Sequence, residues 1–386
     1  MKINGDWLTK PATQHVCAML TLAGHQAFFV GGCVRNALLG APVNDIDIST
    51  DALPAEVISL AKSAGLNAIP TGIDHGTVTV VSGGIPHEIT TFRKDVETDG
   101  RRAVVAFSKN VKDDARRRDF TMNALYADAD GLVLDPLGGM ADLEMRHVRF
   151  IDDANQRIRE DYLRILRYFR FHAFYGDPES GMDADALSAI ANNIDGLSGL
   201  SRERIGYEVL RLLGAPDPAP AVAAMRSVGA LGAVLTGTDD RALAPLIHIE
   251  GILELEPDPM RRLAAIGGED VPTALRLSRK QTHSFVTMRD AIGVMQSPAA
   301  LGYRHGSNLA LSIAALQAAV LEASLLPDLR KDIESGARAI FPIKPVDLMP
   351  TLQGPALGAA LKDLEAIWIA SSFSLDRAAL LASLKT

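Results

Sequence analysis

The sequence is poor in cysteine and in net positive charge, and it lacks any long uncharged apolar run. Two cysteines, Cys17 and Cys33, in 386 residues are too few for a disulfide framework or a cysteine zinc site. Both sit among apolar neighbours, which predicts buried, reduced thiols. A net charge of −8, with aromatics at only 5%, argues against indiscriminate coating of nucleic acid but not against a local basic groove. No apolar segment reaches the length of a membrane span. The polar start MKINGDWLTKPATQHV has no signal-peptide core. The expectation is a cytoplasmic chain with no membrane association and no obligatory protein partner. At 47% hydrophobic and 22% charged, its length suits two or three domains with substantial cores.

What is present is organised around Phe28 to Thr50, FFVGGCVRNALLGAPVNDIDIST. It reads as strand, glycine turn, short helix and second strand. Gly31 and Gly32 let the backbone approach something bulky, and a helix opening at Val34-Arg35 aims free N–H groups at the same place. Arg35 is placed for a triphosphate oxygen. Asp45 and Asp47, two apart on an extended strand, share one face, with Ile46 and Ile48 on the other. Two adjacent acids repel unless a cation lies between them. Beside a phosphate-binding turn that cation is Mg²⁺, whereas a solvated acidic hairpin is the bland alternative.

A helix is predicted over about 12 to 24, ending at Gly24. Another starts at Pro54, with Thr50-Asp51 as capping candidates, and runs out at Gly65. Thr77–Val81 and His87–Phe92 flank Gly83-Gly84 as a hairpin that extends the first sheet. On it Glu88 is either a third metal carboxylate or an ordinary exposed strand residue. Asp95 to Ala106 reads as a mobile loop. The cluster Arg116-Arg117-Arg118-Asp119 precedes an apolar helix. There Arg118 is a phosphate candidate, and Asp119 and Asn123, four apart on a helical face, are ribose candidates; a solvated helix start is the alternative. Beyond Phe150 strand signals nearly vanish, and a proline-rich linker falls at 214–220.

The segment Glu160 to Phe171 reads as one helix. Arg164, Arg167 and Arg170 share a flank, opposite Tyr162, Ile165, Leu166 and Phe169. The flank is either solvated or a nucleotide-binding face. An acid-then-arginine pair can imitate a nucleobase's pairing edge: Asp161 accepts from the exocyclic amine of C or A, and Arg164 donates to the ring nitrogen or carbonyl. Uracil and guanine present a carbonyl where Asp161 needs a donor, and are rejected.

These residues carry a resemblance. Gly31-Gly32-Cys33-Val34-Arg35, Asp45-Ile46-Asp47, Arg117-Arg118-Asp119-Phe120-Thr121-Met122-Asn123-Ala124-Leu125, Asp135-Pro136-Leu137-Gly138-Gly139 with Asp142-Leu143, and Glu160-Asp161-Tyr162-Leu163-Arg164 resemble the motifs of class II CCA-adding tRNA nucleotidyltransferases, which share a superfamily with bacterial poly(A) polymerases. The resemblance implies an α/β nucleotidyltransferase head, a small mixed sheet with helices, followed by an all-α neck, body and tail. The boundaries expected are 1–143 for the head, 144–214 for the neck, and 215–386 for the body and tail. It further implies catalytic and metal-binding roles for Asp45 and Asp47, with two Mg²⁺ ions. Gly31, Gly32, Arg35, Arg118, Asp119, Asn123, Asp161, Arg164, Arg167 and Arg170 become nucleotide-binding candidates for CTP and ATP. The 135–139 segment becomes a hinge, Ser201–Ile205 a supporting motif, the 95–106 loop the element that governs the switch from C to A, and the tRNA acceptor end and elbow the partners. Asp347–Met349 and the 354–369 segment are similar to the family's elbow-gripping tail. Asn36 departs from the family's usual acid, which predicts a weakened hydrogen bond to Arg35. Basic residues in the C-terminal half (Arg276, Arg279, Lys280, Arg330, Lys331, Arg338) are modest, so a light, salt-sensitive RNA grip is expected. The alternatives are a poly(A) polymerase, an enzyme adding only part of the CCA end, and a catalytically silent RNA-binding relative.

Overall fold

The structure is a computed structural model that describes residues 1–98, 103–349 and 351–384. The chain divides into two compact units, Met1–Thr236 and Gly237–Thr386.

The first unit is built on a mixed sheet. In chain order the strands are β1 (Ala27–Val30), β2 (Asp47–Thr50), β3 (Asn67–Gly72), β4 (Thr77–Ser82), β5 (Ile85–Thr91), β6 (Arg93–Thr98), β7 (Ala103–Phe107), β8 (Tyr126–Ala127) and β9 (Val133–Leu134). Seven of them line up as β3-β4-β5-β2-β1-β8-β9, and β6 pairs with β7 as a separate ribbon. Among the described residues of this sheet, only β2 and β5 run parallel. Period-two alternation sorts the two faces. Ile48, Val78, Val80, His87 and Ile89 are buried on the side covered by helices Pro11–Thr21 and Pro54–Ser63. His87 fixes that side by bonding Thr13 Oγ1 at 3.1 Å. Asp47, Ser49 and Glu88 therefore fall on the opposite face.

Several sequence expectations change. Asp95–Ala106 is largely the β6–β7 ribbon rather than a loop, and its tip, 99–102, lies outside the described residues. A register shift between Asp95 and Glu97 breaks the alternation that would have shown it. The helix at Pro54 is closed by Glu56 accepting from the Leu53 N–H, whereas Asp51 accepts from Gln26 and Thr50 from Ala52. The segment after Asp119 is no long helix: Thr121–Asn123 is a single 3₁₀ turn leading into β8. Asp119 Oδ1 takes the Phe120 N–H and the Asn123 amide, and Gly139 packs so closely that a Cβ there would lie 2.2 Å from the Thr121 carbonyl oxygen. Glu160–Phe171 is also interrupted. One helix, Ala154–Glu160, ends at an extended Asp161 and a second runs Leu163–Tyr175. Asp161 Oδ1 accepts from the Leu163 N–H at 3.1 Å, a local bond that competes with helix continuation.

The aromatic cluster Phe120, Phe150, Tyr168 and Phe171 seats the Leu163–Tyr175 helix. A Cβ on Gly196 would collide with the Tyr162 ring at 2.0 Å, so that glycine makes room for the helix entry. Helix Arg202–Leu213 packs alongside, and 214–220 joins it to helix Ala219–Ser227 within the same unit.

Among its described residues, the regular elements of the second unit are all helices, joined by turns and irregular segments. Its long helix Pro298–Val320 is broken at Gly306. Glu250, Arg261 and Arg262 form a buried ion cluster. Leu348, Leu364, Trp368 and Leu380 make a separate small core near the end, with Tyr303 and Phe373 packed against it.

Candidate active site

The parallel register sets Asp47 directly opposite Glu88 on the open face of the sheet. Asp45 lies in the exposed segment just before β2 rather than in the strand itself. Burial pushes the Asp47 carboxyl up to about 6; the Glu88 and Asp45 charges add to this and Arg118 opposes it. The donor set is hard oxygen with an unmet demand for positive charge, which fits Mg²⁺. Among the described residues no three His, Cys, Asp or Glu side chains cage an ion by themselves. That suits a cation that completes its shell with water and substrate phosphates.

Gly31, at φ 70°, turns the chain into helix Gly32–Leu38. A Cβ there would lie 3.2 Å from Arg118 Nη1, so the guanidinium sits against the turn. Arg118 is held from behind: Nη2 donates to Asp114 at 3.2 Å and Nε to the Tyr126 hydroxyl at 3.1 Å. Asp114 is fully buried and also accepts from Tyr126 at 2.8 Å and Arg117 at 3.0 Å. Burial would raise its carboxyl, but Arg118 and Arg117 hold it down to about 2. Sequence reading missed Asp114 and Tyr126, because nothing local shows that an acid in a charge-dense run is interior.

Arg35 is 5% exposed. Nε and Nη2 donate to Asn36 Oδ1 at 3.2 and 2.9 Å, Nη1 to Asn123 Oδ1 at 2.5 Å, and Nη2 also to the Tyr175 hydroxyl at 2.9 Å. The guanidinium lies 3.9 Å from the Tyr175 ring centroid. Asn36 therefore keeps the bond to Arg35 that its lack of charge put in doubt. A cleft of about 510 Å³ opens here, lined by Gly32, Arg35, Asn36, Asp45, Asp47 and Tyr175 among others. Tyr175, 140 positions beyond Arg35, carried no sequence signal.

The arginine flank of Leu163–Tyr175 is not a presented row of cations. Arg164 donates to Glu160 at 2.6 Å and to the carbonyls of Arg157 and Arg117. Arg167 grips Asp119 Oδ2 through Nε at 2.8 Å and Nη2 at 2.5 Å. Arg170, 5% exposed, donates to the buried Glu208 at 2.5 Å. Burial acts to raise the Asp119 carboxyl, yet Arg167 and Asn123 hold it well below the usual range. Asp161 is partnered by Arg204 at 2.7 Å and not by Arg164.

Residues 27–149 match the model of the poly A polymerase head domain. The mitochondrial CCA tRNA nucleotidyltransferase 1 of Mus musculus is 44% identical over 190 residues, covering 49% of this chain and 44% of that protein. The CCA-adding enzyme of Geobacillus thermodenitrificans is 39% identical over 216 residues, 55% of this chain and 52% of the other. These matches span about half the length of those relatives. A CCA-adding enzyme of Lacticaseibacillus paracasei is 30% identical and aligns over 93% of this chain and 92% of its own. Among solved structures, the Bacillus stearothermophilus CCA-adding enzyme in complex with CTP is similar at TM-score 0.74, 28% identity and 94% coverage of both chains. The head-domain match, the near full-length relative and the shared architecture converge: the chain belongs to the bacterial-type class II family of CCA-adding enzymes, the tRNA nucleotidyltransferases.

Proposed function

We propose that this chain adds C, C and then A to the 3′ end of tRNA from CTP and ATP, without a nucleic-acid template and with release of pyrophosphate. The observation that carries the reading is the pairing of Asp47 with Glu88 in register, beside Asp45, next to an arginine held over a glycine turn. Asp45 and Asp47, with Glu88 as a third carboxylate, would hold two Mg²⁺ ions. When bound, the metal neutralises charge on the triphosphate and activates the attacking oxygen. Arg118 and Arg35 face the phosphates, Gly31 and Gly32 allow their close approach, and Asp119 and Asn123 serve the ribose. The 3′-hydroxyl of the tRNA attacks the α-phosphorus, forming the new phosphodiester as the bond to pyrophosphate breaks.

Asp161 is the base-reading acceptor. Its Oδ2 is bonded to Arg204, so the amine of cytosine or adenine shares that oxygen or displaces the guanidinium. Arg164 reaches a base only by giving up Glu160 or a carbonyl, so discrimination rests first on Asp161. The head (1–143) and neck (144–214) carry the chemistry, the helical remainder takes the tRNA elbow, and the setting is cytoplasmic.

Purified protein with Mg²⁺ and a tRNA transcript lacking its last three nucleotides tests the reading. Incorporation of two C and one A is expected. No use of CTP ends the reading, arrest after CC marks a partial enzyme, and long A tails on unrelated RNA identify a poly(A) polymerase.

A further inference from the structure

Arg35 differs in the company it keeps from four other arginines of the same unit; of the arginines that share its cleft, Arg211 is exposed and bonds the neutral Tyr207 hydroxyl. Arg118 is bonded to Asp114, Arg164 to Glu160, Arg167 to Asp119 and Arg170 to Glu208, each a carboxylate. The hydrogen-bond partners of Arg35 are Asn36, Asn123 and Tyr175, all uncharged. Its charge is thus oriented by dipoles and left uncompensated by direct contact, in a cleft where an anionic substrate has to lie. Asn36 makes a further contact. Its Nδ2 donates to the Pro42 carbonyl at 2.8 Å, and its own carbonyl accepts from the Ala41 N–H at 2.8 Å. The amide orientation follows from its partners: reversed, an NH₂ would face the guanidinium and an oxygen would face the Pro42 oxygen. Residue 36 therefore links the Arg35 guanidinium to the cleft wall at Pro42, which lies three positions before Asp45.

We propose that Asn36 is a positioning residue that ties Arg35 to the Ala41–Asp45 segment while leaving the arginine its full charge for the nucleotide's triphosphate. The proposal rests on the nucleotidyltransferase reading and adds to it a job that a carboxylate cannot do. An aspartate at 36 would still accept from Arg35. It would also neutralise that arginine and set an oxygen against the Pro42 carbonyl in place of a donor. Both changes act on nucleotide binding more than on the chemical step, so they belong in KM.

Asn36→Asp and Asn36→Ala are compared with the unaltered chain by three measurements: amide hydrogen exchange over residues 41–45, CTP affinity by calorimetry, and steady-state CTP incorporation. Circular dichroism verifies the fold of each variant. Both variants are expected to speed exchange at Ala41, the amide of this segment that is hydrogen-bonded to residue 36. Asn36→Asp is expected to weaken CTP binding and raise its KM about three- to tenfold, the scale of one hydrogen bond, with kcat changed less than about twofold. Unchanged exchange in both variants, or faster exchange with CTP affinity unaltered in Asn36→Asp, overturns the proposal. A fall in kcat alone does so as well. If the unaltered chain incorporates no CTP, the functional reading fails, while exchange and calorimetry still decide whether Asn36 tethers the wall and tunes Arg35.

Discussion

At the scale of single residues, Asp47 bears the tension of the site. A folded-state value near 6 against an ordinary 3.8 means that the native chain holds this proton more tightly than the unfolded one. Its contribution to stability is therefore greatest below about pH 4, declines as pH rises to about 6, and remains as a penalty above that. Before solvent screening the penalty is up to about 3 kcal/mol. In the absence of divalent ions, Asp47→Asn should raise the melting temperature at pH 7.5 by about 2–5 °C and do little at pH 4, while abolishing CTP incorporation. An equal shift at both pH values would show that repulsion is not the cause. Asp161 should fail differently. Asp161→Ala removes the acceptor that refuses a carbonyl, so UTP and GTP should be incorporated alongside CTP and ATP, with selectivity falling at least about tenfold. Unchanged selectivity in a nucleotide competition assay would rule out Asp161 as the reader.

At the scale of elements, the Leu163–Tyr175 helix is bolted in place by acids from three other segments, Glu160, Asp119 and Glu208. Glu208→Ala leaves the Arg170 charge buried without its partner and should cost about 3–5 kcal/mol in urea unfolding. Replacing both partners, Arg170→Met with Glu208→Leu, should recover most of that loss, because no buried charge remains. The double variant should keep its KM for CTP. A loss below about 1 kcal/mol in the single variant would mean that water reaches the pair. The helix period placed Arg164, Arg167 and Arg170 on one flank, and they are there. What the period could not supply was the acids, which lie 48 positions away for Asp119 and 38 for Glu208. Likewise the Asp161 break was hidden because Glu160 to Phe171 has no glycine or proline, and a single side-chain bond to the Leu163 N–H accompanies it.

At the scale of the molecule, the proposed function asks an acidic chain to hold a polyanion. Arg276, Arg279 and Lys280 are exposed in the second unit, but the sequence there holds slightly more acids than bases. RNA affinity should then fall only modestly with salt. A log–log slope shallower than about −4, corresponding to fewer than about five phosphate contacts, is expected in a titration with tRNA. A much steeper slope would point to a basic surface that the composition does not reveal.

The sequence by itself determined the strand–turn–helix–strand order around Gly31 and Asp47, the hairpin at Gly83-Gly84, the helical second half and the motif set that marks the family. Each of these is written in local spacing, where period two or 3.6 and glycine's tolerance of positive φ act within a few residues. Tertiary structure alone decided that Glu88 stands beside Asp47, that Asp161 pairs with Arg204, and that Arg35 is surrounded by neutral partners. Those facts depend on strand register and helix packing between segments far apart in sequence. There the burial of a charge is settled by whichever distant group arrives to meet it.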